Sequence, residues 1–172
     1  SIGRTSVTYK PGATGIPETA LPRFAGRSWT IEAKVEVVPG AQGVIAAVGG
    51  SAGGWSLYVR PDGIPAATYR LFNIQTLEFA GTVPLTPGVH TLSLDFTNSG
   101  GFGKGGALSL IVDGKAVGEG QLVATPVASF SLDDTFGVGV DTGSMVGPYP
   151  KDSEAGYAFR DGHIHGVTLR IR

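Results

Sequence analysis

Carboxylates gather in the last third of the sequence in a pattern that suits cation binding. Asp133 and Asp134 are adjacent, Asp141 follows them, and Asp152 and Glu154 lie farther along the chain. Loop carboxylates and backbone carbonyl groups are the ligands that Ca²⁺ prefers, at roughly six to eight oxygens per ion. The spacing is not that of an EF-hand, and aspartates in turns also accept hydrogen bonds from nearby backbone N–H groups. We therefore predict no metal and no cofactor in this chain, with a Ca²⁺ ion as the alternative.

The segment from Asp133 to Pro150 is long and rich in turn-forming residues. Long loops in compact domains usually carry function, because a rigid scaffold presents them at its surface. We predict that this region forms an interface or a binding loop with contacts from Asp133, Asp134, Asp141, Met145, Tyr149 and Asp152.

Aromatic residues between positions 55 and 72 form a second candidate site, since aromatic rings stack on the apolar faces of sugars. Core packing is the stronger expectation for Trp55 and Phe72. Tyr58 and Tyr69 remain the candidate contacts for a carbohydrate.

Two further motifs have weaker chemical interpretations. His163 and His165 would point to the same face of a strand, but no third metal ligand accompanies them, so we predict ordinary strand histidines. The glycine-rich stretch 100–106 lacks the Ser or Thr that follows Lys in a phosphate-binding loop, and a strand follows it instead of a helix. It is therefore predicted to be a hairpin loop.

No set of residues in the sequence is sufficient for catalysis. The chain has no Cys, and it lacks a Gly-x-Ser-x-Gly element to present a serine nucleophile. Carboxylate pairs suited to glycoside hydrolysis would arise by chance among 14 acidic residues. We predict that this chain alone is not an enzyme, and an autonomous glycoside hydrolase is the weakest alternative.

Composition argues against two classes of partner. The formal net charge is −1, so no basic surface for nucleic acid is expected. The sequence contains no apolar run of roughly 18 residues, the length that spans a membrane. Nothing in the sequence fixes the cellular compartment.

Strands are the elements that would position these residues. Trp29 to Val37 alternates apolar and polar side chains, which is typical of a strand with one face in a core, and Pro39-Gly40 is predicted to end it. Asp113-Gly114 favours a hairpin, and Asp161-Gly162 is predicted to separate two later strands. Roughly ten to twelve strands and no helix follow, which indicates an all-β antiparallel sandwich of the jelly-roll type.

The chain is predicted to be one domain. Its abundant glycine and low share of charged residues, 16%, suit many short strands joined by tight turns. Residues 1–27 are predicted to be an entry segment packed on the sandwich, paired through Val7 to Tyr9, and residues 28–172 to be the sandwich itself.

Several blocks of residues carry a resemblance to a known family. They are Gly53-Gly54-Trp55-Ser56-Leu57-Tyr58-Val59, Gly103-Lys104-Gly105-Gly106, Val112-Asp113-Gly114 and Phe130-Ser131-Leu132-Asp133-Asp134-Thr135-Phe136. Further matches follow the same order over almost the whole chain. The sequence resembles the C-terminal domain that follows the catalytic domain in bacterial arylsulfatases of the type I sulfatase family. The resemblance implies a concanavalin A-like, laminin G-like jelly roll, in agreement with the strand count.

In that family the upstream α/β domain carries catalysis, through a formylglycine made in a Cys/Ser-x-Pro/Ala-x-Arg motif. This chain contains no such motif, so no catalytic residue is transferred by the resemblance. The resemblance implies a non-catalytic accessory domain whose partner is the parent sulfatase catalytic domain. The alternative is a stand-alone carbohydrate-binding, lectin-like module.

Overall fold

The computed structural model describes residues 6–126, 130, 135–142, 144–151 and 155–172. The described residues form an all-β antiparallel fold, which confirms the predicted class. Short 3-10 turns occur at Glu18–Ala20 and Ala155–Tyr157, and none of the helical segments in these ranges has the length to cross a bilayer. The strands are β1 (Ser6–Tyr9), β2 (Ile16–Pro17), β3 (Trp29–Gly49), β4 (Gly53–Val59), β5 (Pro65–Leu71), β6 (Gln75–Ala80), β7 (Gly88–Asn98), β8 (Lys104–Val112), β9 (Lys115–Ala124), β10 (Thr135–Val138) and β11 (Arg160–Ile171).

Strand β3 belongs to both sheets of the sandwich. Its first part, residues 29–37, pairs with β7 and β11, and the front sheet runs β1-β11-β3-β7-β8-β9. Its second part, residues 43–49, pairs with β4, and residues 46 and 47 pair with β10, which also pairs with β2. The back sheet therefore runs β2-β10-β3-β4-β5-β6. The prediction that Pro39-Gly40 ends the strand is wrong. Gly40 adopts a φ of 92°, which turns the chain from one sheet into the other while the strand continues.

The core lies between the two sheets and follows the side-chain alternation. Trp29, Ile31, Ala33, Val35 and Val37 are buried, and the residues between them are half-buried or exposed, as predicted. In the back sheet every residue of β4 is buried, because this strand is covered on both faces. A second cluster therefore covers the outer face of the back sheet, and it consists of Val44, Ala47, Tyr58, Ala66, Tyr149 and Tyr157.

Strand β11 closes the front sheet between β3 and β1. The predicted pairing through Val7 to Tyr9 is present, since β1 pairs with β11 from Ser6↔Arg170 to Tyr9↔Val167. The prediction that Asp161-Gly162 divides two strands is wrong. Asp161 has a φ of 59° and sits at a register shift in the β11–β3 ladder, so the pair forms an irregularity within one strand.

An ion pair between His90 and Asp113 ties the turn between β8 and β9 to β7. Nδ1 of His90 lies 2.6 Å from Oδ2 of Asp113, and Nε2 of His90 lies 2.6 Å from the carbonyl oxygen of Thr86. Both ring nitrogens face acceptors, which favours the doubly protonated imidazolium. Partial burial lowers the pKa of His90, but the hydrogen bonds to Asp113 and Thr86 outweigh it, and the pKa lies above the ordinary value of 6.5.

We expect Asp113→Asn to reduce the free energy of unfolding by about 0.5–1 kcal/mol at pH 5 and by less at pH 8. A raised histidine pKa contributes stability that is complete below the unfolded value of 6.5 and is lost as the pH rises through the folded pKa. The pKa of Asp113 is lowered, so its contribution is present above the unfolded value of 3.8 and is lost at acid pH. The expected magnitude is modest because the Asp113 side chain is 50% exposed.

Urea denaturation at the two pH values measures this difference. Glu36→Gln is the matched control, since Glu36 faces His165 at 3.4 Å in a more exposed pair and should show a smaller effect. An equal loss of stability at pH 5 and pH 8 for Asp113→Asn would contradict the assignment.

Candidate functional site

A cavity of about 590 Å³ opens at the end of the sandwich where β3 begins and β7 ends. Its walls come from segments that are distant in the sequence: residues 18–27, the β7–β8 loop, the chain after β9, and Phe130. Binding pockets for small ligands typically occupy about 300–1,000 Å³, so this cavity is of a size to hold one or two sugar rings.

Aromatic side chains from both sheets form the floor of the cavity. Trp29, Phe96 and Tyr69 line it and are otherwise packed into the core, with 1–2% of their surface exposed. The ring of Phe24 meets that of Trp29 edge-on, at 5.5 Å between centroids and 88° between planes. Phe130 meets Tyr69 in the same way, at 5.5 Å and 78°. These contacts fix the floor in one arrangement.

The glycine-rich loop between β7 and β8 places Phe102 at the cavity rim. Phe102 is 72% exposed. The Asn98 side chain orders this loop, since its Oδ1 accepts hydrogen bonds from the N–H groups of Gly100 (2.8 Å) and Gly101 (2.5 Å). The ring of Phe102 lies against the backbone of Gly26, where a Cβ atom would be only 3.0 Å from the ring. The loop is a hairpin connection, as predicted, and it also delivers an exposed aromatic ring to the site.

Two arginines flank the same opening. Arg23 and Arg27 line the cavity and are exposed, and neither guanidinium pairs with a described residue through a hydrogen bond or an ion pair. Their segment is held by turns, because the N–H of Leu21 donates to the carbonyl of Glu18 and the N–H of Arg27 donates to that of Phe24. Leu21 is buried and anchors the segment in the core.

Glu18 is the one carboxylate among the described residues that line the cavity. Its oxygens accept the N–H of Phe130 at 2.9 and 3.0 Å, which holds the wall formed by Phe130. Burial raises the pKa of Tyr69, and the charge of Glu18 adds to this effect, so the Tyr69 hydroxyl stays neutral at physiological pH.

Of the residues that line this cavity, sequence reasoning selected Tyr69 and missed Phe102 and the two arginines. Phe102 was a weak signal in the sequence, because single exposed apolar residues are common on protein surfaces. For Arg23 and Arg27 the signal was weaker, because their segment has no periodicity that indicates which side chains face the cavity.

Asp141 and Tyr149, two predicted loop residues, are buried together instead of exposed. Oδ2 of Asp141 accepts hydrogen bonds from the Tyr149 hydroxyl (2.5 Å) and from the N–H of Val146 (2.8 Å). The Tyr149 hydroxyl also lies 2.7 Å from Oγ of Ser56 on β4. Burial raises the pKa of Tyr149, and the neighbouring carboxylate raises it further. This part of the predicted loop packs on the outer face of the back sheet, while Met145 remains 50% exposed. Asp133, Asp134 and Asp152 lie outside the described residues.

The tyrosines predicted to contact a sugar are buried. Tyr69 is 1% exposed in the core, and Tyr58 is 5% exposed beneath Tyr149, with its hydroxyl 3.1 Å from Oγ1 of Thr68. Neither ring has an exposed face on which a sugar could stack, although Tyr69 belongs to the floor of the cavity. Trp55 is fully buried, as expected, whereas Phe72 is 42% exposed.

Within the described ranges, no three histidine or acidic side chains are grouped in a way that could hold a metal ion. The rings of His163 and His165 do lie on the same side of β11, with centroids 4.8 Å apart. His165 faces Glu36 at 3.4 Å between Nε2 and Oε2. Oδ2 of Asp141, one of the carboxylates considered for Ca²⁺, accepts hydrogen bonds from Tyr149 and Val146.

Comparison with known proteins defines the class of this chain through its fold. No protein-family model matches the sequence, and no curated protein matches it. Among solved structures, the CBM40 module of the Ruminococcus gnavus IT-sialidase bound to α2,3-sialyllactose superposes with a TM-score of 0.59 at 17% identity, covering 97% of this chain and 89% of that one.

Two animal proteins share the architecture. The SAP-like pentraxin from Limulus polyphemus has a TM-score of 0.56 at 16% identity, covering 96% of this chain and 76% of that one. Domains LG4-5 of the mouse laminin α1 chain superpose with a TM-score of 0.58 at 10% identity, covering 98% of this chain and 40% of that one. The chain therefore has the concanavalin-like, laminin G-like jelly-roll fold.

Proposed function

We propose that this chain is a non-catalytic, lectin-like module that binds a carbohydrate in the cavity at the start of β3. The observation that carries the proposal is the composition of that cavity: a rigid aromatic floor, an exposed ring at Phe102 and charged side chains at the rim. Sugars present an apolar ring face together with polar groups, and this combination complements such a surface.

The chemistry of the cavity favours binding over hydrolysis. Glycoside hydrolysis by acid–base catalysis uses two carboxyl groups on either side of the scissile bond. Glu18 supplies the one carboxyl group in the described lining of the cavity, and its oxygens accept a hydrogen bond from the backbone N–H of Phe130. The fold shared with the sialyllactose-bound module of the Ruminococcus gnavus sialidase supports the same proposal.

Phe102→Ala tests the proposal. We expect it to weaken glycan binding about fivefold, because a stacking contact contributes on the order of 1 kcal/mol, and to leave the unfolding transition nearly unchanged. Calorimetric titration with a ligand identified on a glycan array measures the effect.

Val83→Ala is the matched control, since Val83 is 69% exposed, comparable to Phe102, and does not line the cavity. Unchanged glycan affinity in Phe102→Ala would refute the cavity as the site, and the absence of any glycan ligand would refute the function.

A second candidate function is that of an accessory domain to a sulfatase catalytic domain. It is supported by the resemblance of blocks along the chain to the C-terminal domain of bacterial arylsulfatases. Two of those blocks are neighbours in the fold: a Cβ atom on Gly53 of β4 would lie 2.8 Å from the carbonyl oxygen of Phe130. Both candidate functions are compatible, because an accessory domain can also hold a substrate sugar.

The coding sequence that surrounds this chain tests the second candidate. We expect the same polypeptide to contain an α/β domain with a Cys/Ser-x-Pro/Ala-x-Arg motif. A polypeptide without that motif would contradict the assignment and leave the carbohydrate-binding module as the single candidate.

A further inference from the structure

The arginines at the cavity rim identify the class of sugar. We infer that the cavity selects an anionic sugar, one that carries a carboxylate or a sulfate ester, and that Arg23 and Arg27 bind its charged group. This inference rests on the proposed carbohydrate-binding function and adds the chemistry of the ligand to it.

The first argument is that neither guanidinium has a partner among the residues that the structure describes. The ion pairs among described residues are Arg60–Asp62, His90–Asp113, His165–Glu36 and Arg172–Asp95, and none of them includes Arg23 or Arg27. Surface arginines commonly lack partners, so this observation alone decides nothing. It gains weight because both unpaired guanidiniums line one cavity in a chain whose formal net charge is −1.

The second argument is the charge balance of the opening. The charged side chains of its described lining are Arg23, Arg27 and Glu18. Both oxygens of Glu18 already contact the Phe130 N–H, so this carboxylate has a structural role. The lining therefore carries an excess of one positive charge next to low-dielectric aromatic walls, where a charge interacts more strongly than in bulk water.

The third argument is the geometry that joins the arginines to the aromatic surface. Gly26 lies between the two arginines, has a φ of 70°, and contacts the Phe102 ring. The turn that holds Arg27 ends on the carbonyl of Phe24, whose ring packs on Trp29. The backbone that carries Arg27 is therefore fixed next to the aromatic rings. The planar guanidinium binds an oxyanion through parallel N–H···O hydrogen bonds, which suits a carboxylate or a sulfate on a stacked ring.

Calorimetric titration with three ligands that share one neutral core tests the inference. The ligands are lactose, 3′-sialyllactose with its carboxylate, and 3′-sulfated lactose. We expect at least one anionic ligand to bind about tenfold or more tightly than lactose, and this preference to shrink as NaCl is raised from about 0.05 to 0.5 M. Preference for one anionic ligand over the other distinguishes the two sources of charge.

Arg23→Gln and Arg27→Gln are the decisive variants, since both residues are exposed and should fold normally. Each is expected to reduce the affinity for the preferred anionic ligand about tenfold and to reduce the affinity for lactose by a clearly smaller factor. Arg170→Gln is the control. Arg170 is an exposed residue of β11 outside the cavity, so this substitution removes the same charge and should have little effect on ligand affinity.

Equal affinity for lactose and both anionic ligands, or anionic binding that survives both cavity variants, would overturn the inference while carbohydrate binding stands. Failure of all sugars to bind would overturn the proposed function as well.

Discussion

Replacing Asp141 by alanine is expected to reduce the free energy of unfolding by about 3–5 kcal/mol. The carboxylate is 2% exposed and accepts hydrogen bonds from the Tyr149 hydroxyl and the Val146 N–H. Its removal leaves the Val146 N–H buried without its acceptor and leaves the Tyr149 hydroxyl with Oγ of Ser56 as its remaining partner. An unsatisfied buried group costs about 1–3 kcal/mol. The Asp141 side chain also holds the segment that covers the outer face of the back sheet, so packing of Tyr149 against Tyr58 should weaken with it.

Equilibrium urea denaturation measures this loss. Tyr149→Phe should cost about 1–3 kcal/mol, and the double variant should cost less than the sum of the single variants, because the two residues share one hydrogen bond. Met145→Ala is the control from the same segment: its side chain is half-exposed, and its effect should stay within about 0.5 kcal/mol. A loss below about 1 kcal/mol in Asp141→Ala would show that this network does not hold the segment.

Gly43→Ala is expected to be severely destabilising, with a loss of about 3 kcal/mol or more or failure to fold. Gly43 has a φ of 117°, and a Cβ atom there would lie 2.5 Å from Cα of Phe159 and would also overlap the carbonyl oxygen of Ala158. The neighbouring residue Val44 forms a parallel bridge with Ala158, so the backbones approach closely at this point. Two costs therefore combine, an unfavourable φ and a clash with backbone that cannot move aside.

Gly88→Ala separates the two costs. Gly88 has a similar φ of 125°, but nothing lies within 4 Å of the position of its Cβ atom. We expect this control to cost about 1–2 kcal/mol, which is the backbone strain alone. Thermal unfolding or urea denaturation gives both values, and equal losses for the two variants would contradict the role of close packing between β3 and the chain before β11.

The positions where sequence reasoning failed share one cause. A local sequence pattern indicates which face of a strand is buried, but it does not indicate which distant segment that strand pairs with or packs against. Pro39-Gly40 has the composition of a strand end, yet β3 continues because its two parts pair with different sheets. Asp161-Gly162 has the composition of a hairpin turn, yet neighbours on β3 accommodate it as an irregularity in a single strand. Asp141 and Tyr149 were expected on an accessible loop, and their burial depends on Ser56, which is distant in the sequence.

The sequence by itself determined the class of fold and the composition of the core. Alternation at Trp29 to Val37 and at Val167 to Ile171 selects one buried face for each strand, because successive side chains of a strand point to opposite sides. The sequence also indicated that Val7 to Tyr9 pairs as a strand, whereas the structure identified its partner as the last strand.

The tertiary structure alone decided the site. Arg23, Trp29, Phe102 and Phe130 come together because two sheets stack and their connecting segments meet at one end of the sandwich. No periodicity encodes that meeting, since it depends on contacts between residues that are far apart along the chain.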